Sequence, residues 1–371
     1  MKMQHDQIYF TEVTEAETDA NCGMKYWYSY LSGGNGITKK DLLIRSKIEA
    51  ESLRDFRAIA EMEDISPAAI QAKIDDVLSP LTAADKTDIS KMELLYRRLG
   101  WLAAFALFIE PKIREEYETV KTDCNLLLCN DPLWVLTTPG RLLKHRINGH
   151  YLYREYVPMP AALTRQHWLD SWRYNIRLHA GITAAEESLR IRIASGQVVG
   201  MFMGYTSGAD GRLAHPYVRA YFNAVRNEWI HYLHPLGNNN AIGTWKPANV
   251  WSFPGGVVKW VQICGAGIAE SQFPASPSVT VNAQILNDWL AYRLHRGREI
   301  CTTMDECQKN IKIRRVNFPR CTHQCRPANS EACQYMDACW NPEVPPLAVG
   351  YIAKPAAPGP LNTVAVDAIA S

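Results

Sequence analysis

No apolar run in this chain is long enough to cross a bilayer. The longest, Leu99 to Ile109, reads as a buried helix. No secretory leader is expected either, because Met1-Lys2-Met3-Gln4-His5-Asp6 runs straight into polar sequence. The expected setting is a reducing cytoplasm, with no membrane partner. Strong charge of either sign is also absent. The chain has 40 Lys/Arg against 38 Asp/Glu, a net charge of +2, so a global electrostatic case for nucleic acid fails. Any basic surface must be local. No internal repeat is visible. The run Gly33-Gly34-Asn35-Gly36 lacks the strand-before, helix-after setting of a phosphate loop and reads as a turn.

What is present suits one elaborated domain or two small ones. The chain has 371 residues, 47% hydrophobic and 21% charged. Residues 1–118 form a helical region, with a capping box at Thr14-x-x-Glu17 and a long apolar-faced helix over 84–118 that ends near Pro111. From 119 to 230 the texture is of short strand-like runs: Thr119-Val120, Asn125 to Leu128, Leu133 to Leu136 and Tyr151 to Tyr153. Asn148-Gly149 is a strong hairpin signal, residues 163–193 return to helix, and Gln197 to Tyr205 is a further buried strand. Strands, helix and strand in that order predict an α/β sheet flanked by helices. Residues 231–281 are rich in Gly, Asn, Pro and Trp and read as an irregular insertion. Residues 282–341 hold a helix and a cysteine group, and 342–371 form a Pro/Ala-rich tail expected to be flexible.

The cysteines are unevenly spread. Cys22 stands near the start, while Cys325-x7-Cys333-x5-Cys339 closes the chain. Four thiolates suit an iron–sulfur cluster or zinc. A local zinc site including Cys321 and a set of unrelated buried cysteines are the alternatives. Zinc knuckles usually come as short pairs, and the gaps here are irregular.

Cys22 followed by Lys25-Tyr26-Trp27-Tyr28, together with Phe318-Pro319, Cys333-Gln334-Tyr335 and Cys339-Trp340, resembles the iron–sulfur PD-(D/E)XK nucleases. These are RecB/AddB-type exonuclease domains and their phage-encoded and CRISPR-associated single-domain relatives. The resemblance runs with gaps from about residue 14 to 342 and includes Tyr30 to Ile37, Gln272-Phe273-Pro274-x-Ser276-Pro277, Trp289 and Arg293. It implies a restriction-endonuclease-like core, a mixed sheet flanked by helices. It also implies an iron–sulfur lobe joining the N- and C-terminal segments, with a 4Fe–4S cluster on Cys22, Cys325, Cys333 and Cys339. Cys321 falls where the family has no cysteine.

The same resemblance implies a magnesium centre. An Asp opens one core strand and an acid-x-Lys pair lies on the next; the acids hold the ion and the lysine stabilises developing charge. In this chain the Asp position is Gly140 and the Lys position is Val157. Glu155 is the surviving acid, and Asp123 is a possible upstream remnant. The helix that should carry a ligating histidine has none, although Glu49 stands near its place; the glutamine-tyrosine signature reads Gln166-x-x-x-Asp170. Magnesium binding is therefore not expected unless Arg154 or Lys144 replaces the lysine and some nuclease activity remains.

Residues 287–320 hold eight Lys/Arg against four Asp/Glu. Arg293, Arg296, Lys312, Arg314 and Arg315 are candidates for phosphate contacts, or else support the cluster lobe. His145 and His150 read as surface residues beside the turn, and Trp245, Trp251 and Trp260 as a local mini-core. The expected function is a catalytically impaired nuclease homologue that binds DNA or scaffolds an assembly in replication, recombination or defence. The alternatives are an active magnesium-dependent exonuclease with a shifted metal site and a protein-interaction subunit without DNA binding.

Overall fold

In the computed structural model, strands that bury both faces decide the architecture. The structure describes residues 2–4, 7–10, 37–83, 85, 88–122, 127–130, 133–137, 140–159, 165–202, 206–207, 213–214, 217, 220–223, 228–231, 244–245, 255–310, 312, 314, 317–318, 335, 339 and 351–354.

Strands β1 (Lys2–Gln4) and β2 (Gln7–Phe10) pair as a hairpin, and β3 (Ile37–Lys39) leads into helix α1 (Lys40–Glu61). Helix α2 (Pro67–Leu78) begins where Ser66 accepts the Ala69 N–H at 3.3 Å and Pro67 fills the first turn. Helix α3 (Ile89–Ala104) is capped by Asp88, which accepts the Lys91 N–H at 3.1 Å. The helix does not stop near Pro111. It widens into a π-helical turn, Phe105–Ile109, and continues as α4 (Glu110–Glu116). Proline has no N–H to donate, and its ring crowds the carbonyl four residues back, so a wider turn accommodates it.

The chain then forms β4 (Tyr117–Lys121), β5 (Leu127–Asn130), β6 (Leu133–Leu136), β7 (Arg141–His145) and β8 (Tyr151–Met159). Helices α5 (Arg165–Ser171) and α6 (Ile176–Leu189) precede β9 (Ile193–Phe202). The central sheet has the order β4-β7-β8-β9, antiparallel except for the parallel β8–β9 pair. β7 and β8 need only a tight turn, and Gly149 supplies its positive φ of 70°. The parallel partner needs a crossover, which α5 and α6 provide. β1, β2, β6 and β5 form a second sheet of four strands.

Neighbouring residues on β7, β8 and β9 go to opposite faces. Leu143, Leu152 and Val199 pack toward Phe56, Leu99 and Phe105 of the N-terminal helices. Leu142, Tyr153, Val157 and Val198 pack toward Trp168, Ile182, Leu286 and Leu290. Each such side chain contributes about 1.5–3 kcal/mol by leaving water, so both faces must be covered. The result is an α/β fold with a mixed sheet between helical layers, as the strand and helix order led us to expect.

Helix α7 (Gly256–Gln272) lies within the stretch read as an irregular insertion. Val257, Val258, Val261 and Cys264 recur at helical spacing and are buried. Gly265, at φ 80°, kinks the helix and obscures that period in the sequence. The motif after α7 covers the free edge of β9: Ser276 N–H donates to the Val198 carbonyl at 2.7 Å, and Val279 and Gly196 exchange backbone bonds. Helix α8 (Ala283–Lys309), capped by Asn282, is the helix expected within residues 282–341. In the expected flexible tail, β10 (Tyr351–Ala353) pairs antiparallel with β3 and buries Tyr351. The apolar pair Tyr351-Ile352 precedes the proline-rich stretch in the sequence.

Candidate active site

Glu155 sits on β8 facing α6 and is fully buried. Its Oε2 accepts from Arg177 Nε at 2.9 Å, and its Oε1 accepts from the Tyr153 hydroxyl at 3.3 Å. Arg177 comes from the first turn of α6, where Asn175 caps the helix by accepting the Arg177 N–H at 3.0 Å. Burial pushes the Glu155 carboxyl up from its ordinary range, against the pull of Arg177 and the Tyr153 bond. Glu155 thus forms an internal ion pair with Arg177.

The position opposite is closed by packing. A Cβ on Gly140 would lie 2.3 Å from Tyr153 Cζ, and one on Gly181 would lie 2.7 Å from the Tyr153 hydroxyl oxygen. Tyr153 therefore fills the space that a side chain at 140 would need. Val157 lies in the apolar cluster with Trp168 and Met159. Gly140→Ala is expected to cost about 1–3 kcal/mol, the usual range for overpacking a core. Tyr153→Val should relieve most of that cost in the double variant. A urea titration of the four proteins of this cycle checks it, and a wild-type-like Gly140→Ala would disprove the packing argument.

The two side chains weighed as substitutes for the lysine point elsewhere. Arg154 alternates to the face opposite Glu155 and donates to Gln197 Oε1 at 2.8 Å; Lys144 lies over the Tyr151 ring at 5.9 Å. The cation that meets Glu155 is Arg177, which no local sequence pattern marks.

Across the sheet lies a second buried pair, also unmarked. Glu110 is fully buried and accepts from Arg141 Nη1 at 2.6 Å and Nη2 at 2.9 Å. It also accepts from Arg114 Nε at 2.8 Å, while Arg114 Nη2 donates to the carbonyls of Ile59 and Met62 near the end of α1. Burial works against the Arg141 charge, but Glu110 and the neighbouring Tyr156 outweigh it and raise its pKa.

The remaining candidates are scattered. Asp123, Cys22, Cys321, Cys325, Cys333, Arg315 and Trp251 lie outside the described residues. Cys339 is buried, and its N–H donates to the Tyr335 carbonyl at 2.9 Å. Glu49 is half-buried on α1, and Gln166 donates to Asp170 at 2.9 Å. His145 Nδ1 accepts the Ile147 N–H at 3.2 Å and shapes the hairpin turn, with His150 exposed.

Three of the basic candidates, Arg293, Arg296 and Arg314, are turned inward. Arg293 is buried with its guanidinium 4.8 Å from the Tyr292 ring centre. Arg296 donates to the Asn317 carbonyl at 2.7 Å and Arg314 to the Cys307 carbonyl at 2.9 Å, so both hold the end of α8 to the segment that follows it. Lys312 is exposed. Helix periodicity alone does not distinguish an outward arginine from one folded back over carbonyls and rings.

Among the described residues, no group of three or more His, Cys, Asp or Glu is placed to hold a metal ion. Nor is any helix among them long and apolar enough to cross a membrane. The chain matches no family model and no curated protein.

Proposed function

We propose that this chain is a RecB-like PD-(D/E)XK nuclease homologue whose catalytic centre has been converted into packed core. On this reading it serves as a DNA-binding or scaffolding subunit and carries a 4Fe–4S cluster on Cys22, Cys325, Cys333 and Cys339. The observation that carries the proposal is Glu155, fully buried and paired with Arg177 at 2.9 Å where an active centre needs an open carboxylate. The β7–β8 hairpin within a mixed sheet, and the β3–β10 pairing of N- and C-terminal segments, support the same reading.

With Mg²⁺ or Mn²⁺, linear and circular DNA should remain uncut above background, and Glu155→Ala should leave that null result unchanged. Anisotropy of labelled DNA should show weak, sequence-independent binding that falls steeply with salt. Robust cleavage abolished by Glu155→Ala would overturn the impaired centre. The inward-facing Arg293, Arg296 and Arg314 favour a second reading, a protein-interaction subunit. Absence of DNA binding even at low salt would select it.

A further inference from the structure

His179 is buried on the first turn of α6, and both of its ring nitrogens are engaged. Nδ1 lies 3.4 Å from the backbone nitrogen of Asn282, and Nε2 lies 3.3 Å from the Arg173 carbonyl oxygen. These partners fix the tautomer. A backbone N–H only donates and a carbonyl only accepts, so Nδ1 is bare and Nε2 carries the proton. The neutral ring thus bridges three segments: α6, the 3₁₀ turn Trp172–Tyr174 before it, and the start of α8. Asn282 is itself the cap of α8, its side chain accepting the Ile285 N–H at 3.2 Å.

A second proton on this ring is badly placed. On Nδ1 it turns the acceptor into a donor facing another donor. It also sets a cation in the first turn of α6 and against the cap of α8, the positive ends of both helix dipoles. The neighbouring elements offer little to offset it. On α6, Glu186 accepts the Ile193 N–H at 2.7 Å, and Glu187 follows it two turns from His179. Arg173 and Arg177 are themselves cations. On β8, Glu155 is paired with Arg177, and Arg154 donates to Gln197. The first two turns of α8 hold a single charged residue, Asp288, to which Gln284 donates at 2.8 Å. β5 and β9, which also contact α6, carry no charged residue. Burial accordingly holds the His179 imidazole below its ordinary range, against the bond to the Arg173 carbonyl.

We propose that His179 is an acid-released latch: neutral, it holds the start of α8 against α6, and protonated, it lets that start go. Leu286 and Leu290 keep the rest of α8 in the core, so the release is local. The sign follows from where the proton prefers to bind. A histidine in the unfolded chain titrates near about pH 6.5, and His179 in the folded chain titrates lower. The latch therefore gives its full stability above about pH 6.5 and loses it as the pH falls toward the folded value. Within that window each pH unit moves the unfolding equilibrium by up to about tenfold, the linkage of one proton.

Two measurements on the full chain test it. Urea unfolding from about pH 5 to 8 compares the wild type with His179→Asn, whose amide oxygen accepts an N–H but does not titrate. The other ionisable groups cancel in the comparison. Relative to the variant, the wild type should lose stability below about pH 6.5. Hydrogen exchange, corrected for its intrinsic pH dependence, should show the Ile285 and Leu286 amides losing protection by up to about tenfold between pH 7.5 and 5.5, with the β8 amides unchanged. Should His179→Asn fail to fold, the ring proton resonances of His179 in the wild type take its place, and a midpoint below about 6.5 supports the latch. Parallel pH curves for the two proteins, a midpoint at or above about 6.5, or unchanged exchange at Ile285 and Leu286 would each overturn it.

Discussion

Glu110→Ala should lower the unfolding free energy by about 3–5 kcal/mol, the cost of leaving a buried charge without its partner. The size follows from what the carboxylate holds. It receives two bonds from Arg141 on β7 and one from Arg114, whose other nitrogen caps carbonyls near the end of α1. Removing it strands the buried Arg141 guanidinium and loosens the α4–β7 and α4–α1 junctions together. Glu110→Gln should recover part of the loss, since the amide oxygen still accepts but carries no charge. Replacing Glu110 and Arg141 together by Leu and Met should cost less than Glu110→Ala, because the fully buried Arg141 charge goes with its partner and only the half-buried Arg114, still bonded to the α1 carbonyls, loses its carboxylate. In urea the midpoint should fall while the slope stays near wild type. A loss under about 1 kcal/mol would show that water reaches the pair and that it behaves as a surface bridge.

The sheet was legible because its signals are local. Asn148-Gly149 marks the β7–β8 turn, and the residues on either side alternate between two buried faces. The helical layers were legible in part. The apolar stretch before Pro111 is visible in sequence, but the π-helical turn that carries the helix past it is not. Helix α7 was hidden by glycine at the kink, and β10 by the proline-rich tail around it.

The candidate site was legible as a set of positions and illegible as an arrangement. Glu155, Gly140 and Val157 were identified by resemblance, and the structure places Glu155 and Val157 on one face of β8. What occupies the space between them could not be read. Tyr153 closes on Gly140 and Gly181 only because α6 packs against β8, and Arg177 reaches Glu155 from 22 residues away. Pairings of that range leave no periodicity and no motif. The same holds for Arg141 and Glu110, separated by 31 residues.

The largest change expected of any single substitution belongs to the proposed cluster. Anaerobically purified protein should be brown with about four irons per chain, as four-thiolate ligation of a 4Fe–4S centre implies. Cys339→Ser should bleach it, and Cys22→Ser should do so as completely, although Cys22 lies at the other end of the sequence. The ground for that equivalence is the four-ligand set that the resemblance implies, Cys22 itself lying outside the described residues. The segment after Cys22 enters β3, and β3 pairs with β10, Tyr351 lying opposite Lys39. Tyr351 stacks on Tyr335 at 6.0 Å, and the Tyr335 carbonyl accepts the Cys339 N–H. One end of the chain is thus tied to the turn that carries Cys339. Ligand loss should therefore also destabilise this lobe, since the binding energy of a structural centre is part of its folding energy. Limited proteolysis should cut the bleached variants between residues 310 and 354 before the sheet. A colourless protein with one zinc, unaffected by Cys22→Ser, would replace the cluster with a local site on the C-terminal cysteines. A protein with no metal and an unchanged cleavage pattern in both variants would leave these cysteines as ordinary buried thiols, with the lobe held by the β3–β10 pair and the tyrosine stack alone.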